Sequence, residues 1–231
     1  MNKKLTVVFL TAILLALGAS VSAQKVKNLD KGTERVNEAS KVMSEIMSKA
    51  DNAIPQYLLD RAEAVVVFPG AVKAGFIIGG QGGNGVAIKR MNKTWSAPAF
   101  VKMAGGSFGA QIGAQKTDYI LLIMNEGGLK SLLSDKFEIG GEGSVAAGPV
   151  GRTASASTDA KLDAEILTYS RSKGLFAGVA LKGVVISPDN DLNRDIYQKE
   201  AVQLLGSPGV DWSQAPASLQ RFPKTVSSYS K

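Results

Sequence analysis

The most restrictive feature of this sequence is a glycine-rich stretch, Ala71–Arg90, which reads AVKAGFIIGGQGGNGVAIKR. It is excluded from helix formation, because each interior glycine would cost a helix roughly 0.8–1 kcal/mol relative to alanine. Two apolar runs on either side of Gln81–Asn84 predict a β-hairpin with a Gly/Asn turn. Glycine within a strand marks a bulge, a bend or the close approach of another backbone. Because similar runs recur later in the chain, we expect a strongly curved sheet.

A second pattern within this stretch resembles a nucleotide-binding motif. The residues Gly80–Gly85 satisfy G-x-G-x-x-G, the dinucleotide fingerprint. That fingerprint must open a helix whose N-terminus meets the pyrophosphate. Here it leads into Val86–Arg90, which has the composition of a strand. The pattern therefore indicates a turn, and no cofactor is predicted.

The N-terminus has the pattern of a secretory signal peptide. Lys3 and Lys4 precede the apolar run Leu5–Leu17, and Val21-Ser22-Ala23 forms a small-residue cleavage site. The run of about 13 residues is shorter than the ~20 needed to cross a bilayer, which makes a membrane-spanning helix the less favoured alternative. We expect cleavage after residue 23 and export to the periplasm or cell envelope. The mature chain would then start at Gln24 with a net charge of about +5, a modest excess compatible with anionic membranes. Export argues against nucleic acid as a partner.

Histidine and cysteine are both absent from the sequence. This excludes a His general base, Ser-His and Cys-His nucleophile pairs, Cys/His zinc sites and disulfides. The acidic residues are scattered singly, and no calcium-loop motif is present. We therefore predict a protein that is not an enzyme and has no metal site.

Two helices are predicted to pack on the sheet. Thr33–Ala50 carries an apolar stripe at helical spacing, and Asp30 is its predicted N-cap. The stripe indicates packing on the sheet, although an amphipathic helix at a membrane interface remains an alternative. The second helix is Leu192–Leu205. The expected fold class is α+β: a curved, mainly antiparallel, glycine-rich sheet, approaching a barrel, with an N-terminal amphipathic helix and a C-terminal helix. The expected domain spans residues 24–208, and residues 209–231 are expected to form a loosely attached tail.

A series of short motifs stands in order between about Ala39 and Gly206. The most specific is Tyr169–Gly178, YSRSKGLFAG. The others are Ile54-Pro55, Leu58-Leu59, Ala62, Val67-Phe68-Pro69, Lys73-Ala74-Gly75-Phe76, Gly79-Gly80, Gly83, Gly85-Val86, Trp95-Ser96, Pro98, Gly109, Gln111, Gly113, Gly148-Pro149 and Gly151-Arg152. With these motifs the chain resembles the SYLF domain family.

The resemblance implies a lipid-binding module. Eukaryotic members bind phosphoinositides, and some also bind and bundle actin, whereas bacterial members are exported and are thought to bind phospholipid. The SH3 and FYVE modules of eukaryotic members are absent here, and the family provides no catalytic residues to carry over. The expected function is therefore non-enzymatic binding of phospholipid, or of an anionic membrane surface, in the bacterial envelope.

Lysine and arginine would contact the headgroup phosphates, each worth about 1 kcal/mol near an anionic surface. Trp95 is either an interfacial anchor or a cap on the core. The candidate lipid-binding residues are Lys73, Lys89, Arg90, Lys93, Trp95, Arg152, Arg171 and Lys173.

Two other functions remain open. Exposed strand edges could support a self-assembling structural envelope protein, and thus a homo-oligomer. A less favoured hydrolase would need two carboxylates converging in a pocket, with Glu126, Glu138 and Glu142 as its candidates.

Overall fold

The structure is a computed structural model of the chain. It describes residues 27–49, 53–92, 94–140, 145–151, 164–179 and 181–230, and for 75–78 and 107–113 it describes the backbone. The predicted signal peptide, Lys93, Glu142 and Arg152 lie outside the described residues.

Within these residues the fold is α+β, as predicted. The helices are α1 (27–47), α2 (Gln56–Arg61), α3 (Glu126–Leu133), α4 (Asn190–Tyr197), α5 (Ala201–Leu205) and α6 (Arg221–Tyr229). The strands are β1 (Ala64–Met91), β2 (Thr94–Trp95), β3 (Ala99–Ile123), β4 (Phe137–Ile139), β5 (Val145–Ala147), β6 (Ile166–Ser172), β7 (Leu175–Gly178) and β8 (Val184–Pro188).

The long strands β1 and β3 form the centre of the sheet. They pair antiparallel from Ala64 opposite Ile123 to Ala87 opposite Ala99. Two strands pair with the other edge of β3. β8 pairs with Val101–Gly105 near its start, and β6 pairs with Asp118–Ile123 at its end. β4 extends the sheet beyond β8, while β7 and the parallel strand β5 both pair with β6. The result is a mostly antiparallel sheet that nearly closes into a barrel.

The prediction of a hairpin within Ala71–Arg90 is wrong. The whole stretch belongs to β1, and residues Gly79–Asn84 pair in register with Lys102–Ser107 of β3. A two-residue hairpin turn of type I′ or II′ needs positive φ, and none of the described residues with positive φ lies between 79 and 85. The prediction that Val86–Arg90 continues as a strand is confirmed.

The glycines instead allow β1 to fold back against itself. A β-carbon added at Gly83 would lie only 2.8 Å from the β-carbon of Ala71. One added at Gly85 would lie 2.8 Å from the carbonyl oxygen of Val67 and would overlap the Phe68 ring. Glycine thus permits the close approach of two parts of one strand, which curves the sheet as predicted.

Helix α1 lies along this curved sheet. Its stripe is in the core, as predicted from its spacing: Val36, Ala39, Val42, Met43 and Ile46 are at most 4% exposed. Each larger side chain of this kind stabilises the fold by roughly 1.5–3 kcal/mol when buried. The helix already includes residue 27, so Asp30 lies within it and is not the predicted N-cap.

The C-terminal region differs from the sequence prediction in two ways. The predicted helix Leu192–Leu205 is interrupted at Gln198, whose φ of 57° is left-handed, and this separates α4 from α5. The predicted loose tail is packed: Leu219, Phe222 and Val226 are fully buried. The Trp212 indole nitrogen also donates to Thr94 Oγ1 at 2.8 Å, which attaches the tail to β2.

Candidate functional site

The candidate site is built around the tight hairpin between β6 and β7. Ser172 pairs with Leu175, so only Lys173 and Gly174 form the loop. Both have positive φ, 50° and 81°. These angles are typical of a type I′ turn, which glycine at the second position favours. The turn presents Lys173 to solvent. Arg171 lies within β6, just before the turn.

Leu175 follows this turn directly and is 79% exposed. Among the described residues, the other exposed large apolar side chains are those of Val72, at 42%, and Val202, at 49%. A single exposed leucine is ordinary on a protein surface. Here, however, it stands two residues from an exposed lysine on a projecting turn.

An open cleft of about 400 Å³ lies beside the turn, between α1 and the sheet. It brings together three cationic side chains, those of Lys116, Arg171 and Lys173. Its remaining lining residues are Glu45, Gly70, Asp118 and Gly174. Two of the candidate residues predicted from the sequence, Arg171 and Lys173, therefore meet in one cleft.

Arg171 is held by two carboxylates. Its Nε and Nη2 each lie 2.8 Å from Asp118 Oδ2, and its Nη1 donates to Glu45 Oε2. Asp118 is itself fixed, because the Gly70 N–H donates to its Oδ1 at 2.8 Å. Burial works to lower the pKa of Arg171, but the hydrogen bonds to Glu45 and Asp118 outweigh burial and raise it. Arg171 therefore stays charged and oriented within the cleft.

Lys73 lies close to this region but on the other face of β1. It is half-buried and pairs with Gln115 of β3, whereas Val72 and Lys116 form the neighbouring exposed pair. The Gln115 amide donates to Ser172 Oγ at 2.5 Å, which links the strand opposite Lys73 to the hairpin.

The remaining described candidates lie at the other end of β1. Lys89 Nζ donates to the Gly206 carbonyl at 3.2 Å, and Trp95 is 1% exposed. Arg90 donates to carbonyls of α2 and its C-terminal boundary, and it stacks on Trp95. The Trp95 ring thus caps the core, which was one of its two predicted roles.

The two hydrolase candidates that the structure describes, Glu126 and Glu138, do not line the cleft. Glu126 lies in the first turn of α3, and Glu138 is exposed on β4. Among the described residues there is no group of three or more Asp or Glu side chains placed to hold a metal ion. Nor does any helix in the described part of the chain have the length and apolar character required to span a bilayer.

Four residues of the site were not identified from the sequence: Glu45, Lys116, Asp118 and Leu175. Leu175 had a usable signal, because Gly174 between two strand-like runs favours a tight turn, and the residue after such a turn begins the next strand beside it. Glu45 had none, since it is one of several acidic residues on the polar face of α1 and meets Arg171 only through the tertiary fold.

The fold and the cleft define an α+β domain in which a curved, nearly closed sheet presents charged side chains at an open surface. Residues 104–228 match the family model described as "Ysc84: Las17-binding protein actin regulator". The matched region includes the hairpin, the cleft side chains of β3 and β6, and the packed C-terminal helix. The chain therefore belongs to the Ysc84 family, also known as the SYLF family.

Several eukaryotic proteins are similar to this chain. Protein YSC84 of Saccharomyces cerevisiae is 38% identical over 152 residues, which cover 64% of this chain and 32% of that protein. LAS seventeen-binding protein 3 of the same species has the same identity and coverage of this chain, with 33% of its own length covered. The human SH3 domain-containing YSC84-like protein 1 is 29% identical over 174 residues, covering 74% of this chain and 51% of that protein. The chain thus spans about a third to a half of these relatives.

Proposed function

We propose that this chain is a non-enzymatic phospholipid-binding protein of the bacterial cell envelope. In this proposal, Lys173, Lys116 and Arg171 contact the phosphates of anionic headgroups, and Leu175 enters the apolar part of the membrane. The envelope location rests on the sequence pattern of residues 1–23, which also makes a membrane lipid a more accessible partner than actin.

The observation that carries this proposal is the tip of the β6–β7 hairpin. Lys173 is exposed in the turn, and Leu175 is 79% exposed immediately after it. Membrane-surface elements combine cationic side chains with an apolar group that reaches the acyl boundary. Lys116 and Arg171 line the cleft beside this tip, and with Lys173 they leave it one net positive charge after the carboxylates of Glu45 and Asp118 are counted.

The expected affinity is low for one molecule. Two lysines near an anionic surface contribute about 1 kcal/mol each, and burial of a leucine contributes roughly 1.5–3 kcal/mol. A total of about 4 kcal/mol corresponds to a dissociation constant near 1 mM, which describes reversible contact and not permanent anchoring. Because the lysine contributions are electrostatic, added salt should weaken binding.

Co-sedimentation of the purified chain with lipid vesicles tests the proposal. We expect more protein in the pellet with vesicles of phosphatidylglycerol and phosphatidylcholine than with phosphatidylcholine alone, and release by salt. Equal binding to both compositions, or binding to neither, would contradict the proposal.

Pairs of matched substitutions test whether the hairpin tip is the part of the protein that contacts the membrane. Lys173→Gln should weaken binding to the anionic vesicles about fivefold, the effect of losing about 1 kcal/mol. Lys199→Gln removes the same charge from an exposed position between α4 and α5 and should leave binding unchanged. Leu175→Ser should weaken binding further, while Val202→Ser, an exposed apolar position on α5, is its control.

The other described candidate residues have no direct contact with the headgroup in this proposal. The internal contacts of Lys89, Arg90 and Trp95 are assigned to the stability of the domain. Lys73 is assigned a supporting role near the hairpin. Lys93 and Arg152 stay predictions from the sequence alone.

A further inference from the structure

The two carboxylates that hold Arg171 are not equivalent. Asp118 is 16% exposed and accepts a backbone hydrogen bond from Gly70 in addition to two contacts from the guanidinium. Glu45 is 43% exposed and projects from the surface of α1. Its other ion pair is with Lys41, at 3.9 Å, a long contact along the same helix. Asp118 is thus fixed in place, whereas Glu45 is the partner that can be exchanged.

The Glu45–Arg171 pair also separates two clefts. On one side is the cationic cleft with Lys116 and Lys173. On the other is a smaller cleft of about 220 Å³, which is lined by Lys49 and by the apolar side chains of Ile46, Leu175 and Phe176. Both clefts are lined by Glu45, Arg171 and Gly174. Rotation of the Glu45 side chain away from Arg171 would join the cleft that holds Lys116 and Lys173 to one that also offers three apolar side chains.

We propose that Glu45 is an internal competitor for the ligand, and that a phosphate group replaces its carboxylate on Arg171. This inference rests on the proposed function and specifies its binding site. In the bound state Asp118 continues to orient the guanidinium through Nε and Nη2, while Nη1 passes from Glu45 to a phosphate oxygen. Lys116 and Lys173 lie on the same cleft to balance the remaining negative charge. The ligand class is an amphiphile whose phosphate is covalently attached to an apolar chain.

The chemistry of the pair favours this exchange. Guanidinium groups bind phosphate oxygens as well as carboxylates, with charge-assisted hydrogen bonds in both cases. An ion pair with an exposed partner contributes little to folding stability, so Glu45 can leave without loosening α1. The helix remains held by its buried stripe. The proposal therefore predicts that removal of an acidic side chain strengthens binding without unfolding the protein.

The test compares Glu45→Gln with Glu38→Gln. Glu38 is an exposed residue on the same helix, and its substitution changes the net charge by the same amount. Vesicle co-sedimentation uses equal parts of phosphatidylglycerol and phosphatidylcholine. We expect Glu45→Gln to bind about fivefold tighter than the unsubstituted chain, the effect of one additional available cation, and Glu38→Gln to bind as the unsubstituted chain does. The gain should disappear in the double variant Glu45→Gln/Arg171→Gln, with folding checked by circular dichroism.

Calorimetry with inorganic phosphate as the soluble probe separates two sources of the anion. A gain in both assays means that Arg171 recognises the phosphate group itself, whereas a gain with vesicles alone means that the apolar chain is also required. If Glu45→Gln and Glu38→Gln bind anionic vesicles equally, Glu45 is not a competitor, although the proposed function stands. If the unsubstituted chain does not distinguish anionic from neutral vesicles, the proposed function fails as well, whatever the result for Glu45→Gln.

Discussion

The guanidinium carbon of Arg90 lies 4.3 Å from the centre of the Trp95 ring. The same guanidinium donates from Nη2 to the Leu59 carbonyl at 2.7 Å and from Nε to the Ala62 carbonyl at 3.0 Å. Burial lowers the pKa of Arg90, and the acidic groups of Asp60 and Glu63 oppose this shift. One partly buried cation therefore ties α2 to the end of β1 and covers the buried indole.

Arg90→Lys is expected to destabilise the domain, because lysine cannot reproduce the planar fork or its stacking on the indole. Loss of hydrogen bonds from a charged group predicts a decrease of about 2 kcal/mol in the free energy of unfolding. Urea denaturation measures this decrease. Arg61→Lys, at an exposed position at the end of α2, is the control and should change stability by less than about 0.5 kcal/mol. Equal effects of the two substitutions would show that the contacts of Arg90 do not stabilise the fold.

The glycines of β1 are expected to differ sharply in their tolerance of alanine. A β-carbon at Gly85 would overlap the Phe68 ring, whereas nothing lies within 4 Å of one at Gly80. Gly85→Ala should lower the free energy of unfolding by about 2–3 kcal/mol through overpacking. Gly80→Ala should be neutral, or stabilise by roughly 0.4–1 kcal/mol through reduced freedom of the unfolded chain. Thermal unfolding of both variants compares them directly, and similar melting temperatures would argue against the folded-back path of β1.

Gly80 and Gly85 show which features of β1 could be predicted from the sequence and which could not. Glycine content excluded a helix and indicated curvature, because both conclusions depend only on local backbone preferences. The same content suggested a turn at Gln81–Asn84, since glycine serves equally in turns and in tightly packed strands. The pairing of residues 79–84 with β3, and the close approach of Gly83 to Ala71 on another part of β1, distinguish these cases.

Some residues of the candidate site could likewise be named from the sequence, and others could not. Arg171 and Lys173 were named from the sequence and meet in the cleft, because they stand two positions apart in one local motif. The Glu45–Arg171 pair joins residues 126 positions apart in sequence, so no pattern along the chain places them together. The burial of Phe222 likewise depends on partners distant in sequence, and a Ser- and Pro-rich tail gave no local signal for it.

Phe222→Ala tests whether this tail belongs to the folded domain. The side chain is fully buried in the common core, so its truncation should lower the free energy of unfolding by about 3–5 kcal/mol. Val202→Ala, at a side chain that is 49% exposed, should cost less than about 0.5 kcal/mol. Chemical denaturation followed by tryptophan fluorescence is suitable, because Trp212 lies in the same C-terminal segment. A loss below about 1 kcal/mol for Phe222→Ala would mean that the tail contributes little to the core.

Asp189 provides a prediction for the dependence of stability on pH. Its carboxylate is 5% exposed and accepts from Arg35 at 2.8 Å and Lys102 at 2.7 Å, which joins α1 and β3 to the start of α4. Burial acts to raise the pKa of Asp189, but the hydrogen bonds from Lys102 and Arg35 outweigh burial and hold it below its usual value of 3.8. The ionised carboxylate is therefore favoured more strongly in the folded state than in the unfolded state. Its stabilising contribution is complete above the unfolded pKa and is lost as the pH falls through the folded pKa.

Asp189→Asn removes this contribution and leaves the two cations without their shared partner. At about pH 7 we expect the free energy of unfolding to decrease by about 3 kcal/mol, as for other broken buried ion pairs. As the pH falls below about 4, the unsubstituted chain loses its advantage and the difference between the two proteins shrinks. Urea denaturation across this range measures the difference, with Asp135→Asn, at an exposed position, as a control that should change stability by less than about 0.5 kcal/mol. A difference that stays constant through the acidic range would mean that the effect of Asp189→Asn does not arise from the carboxylate charge.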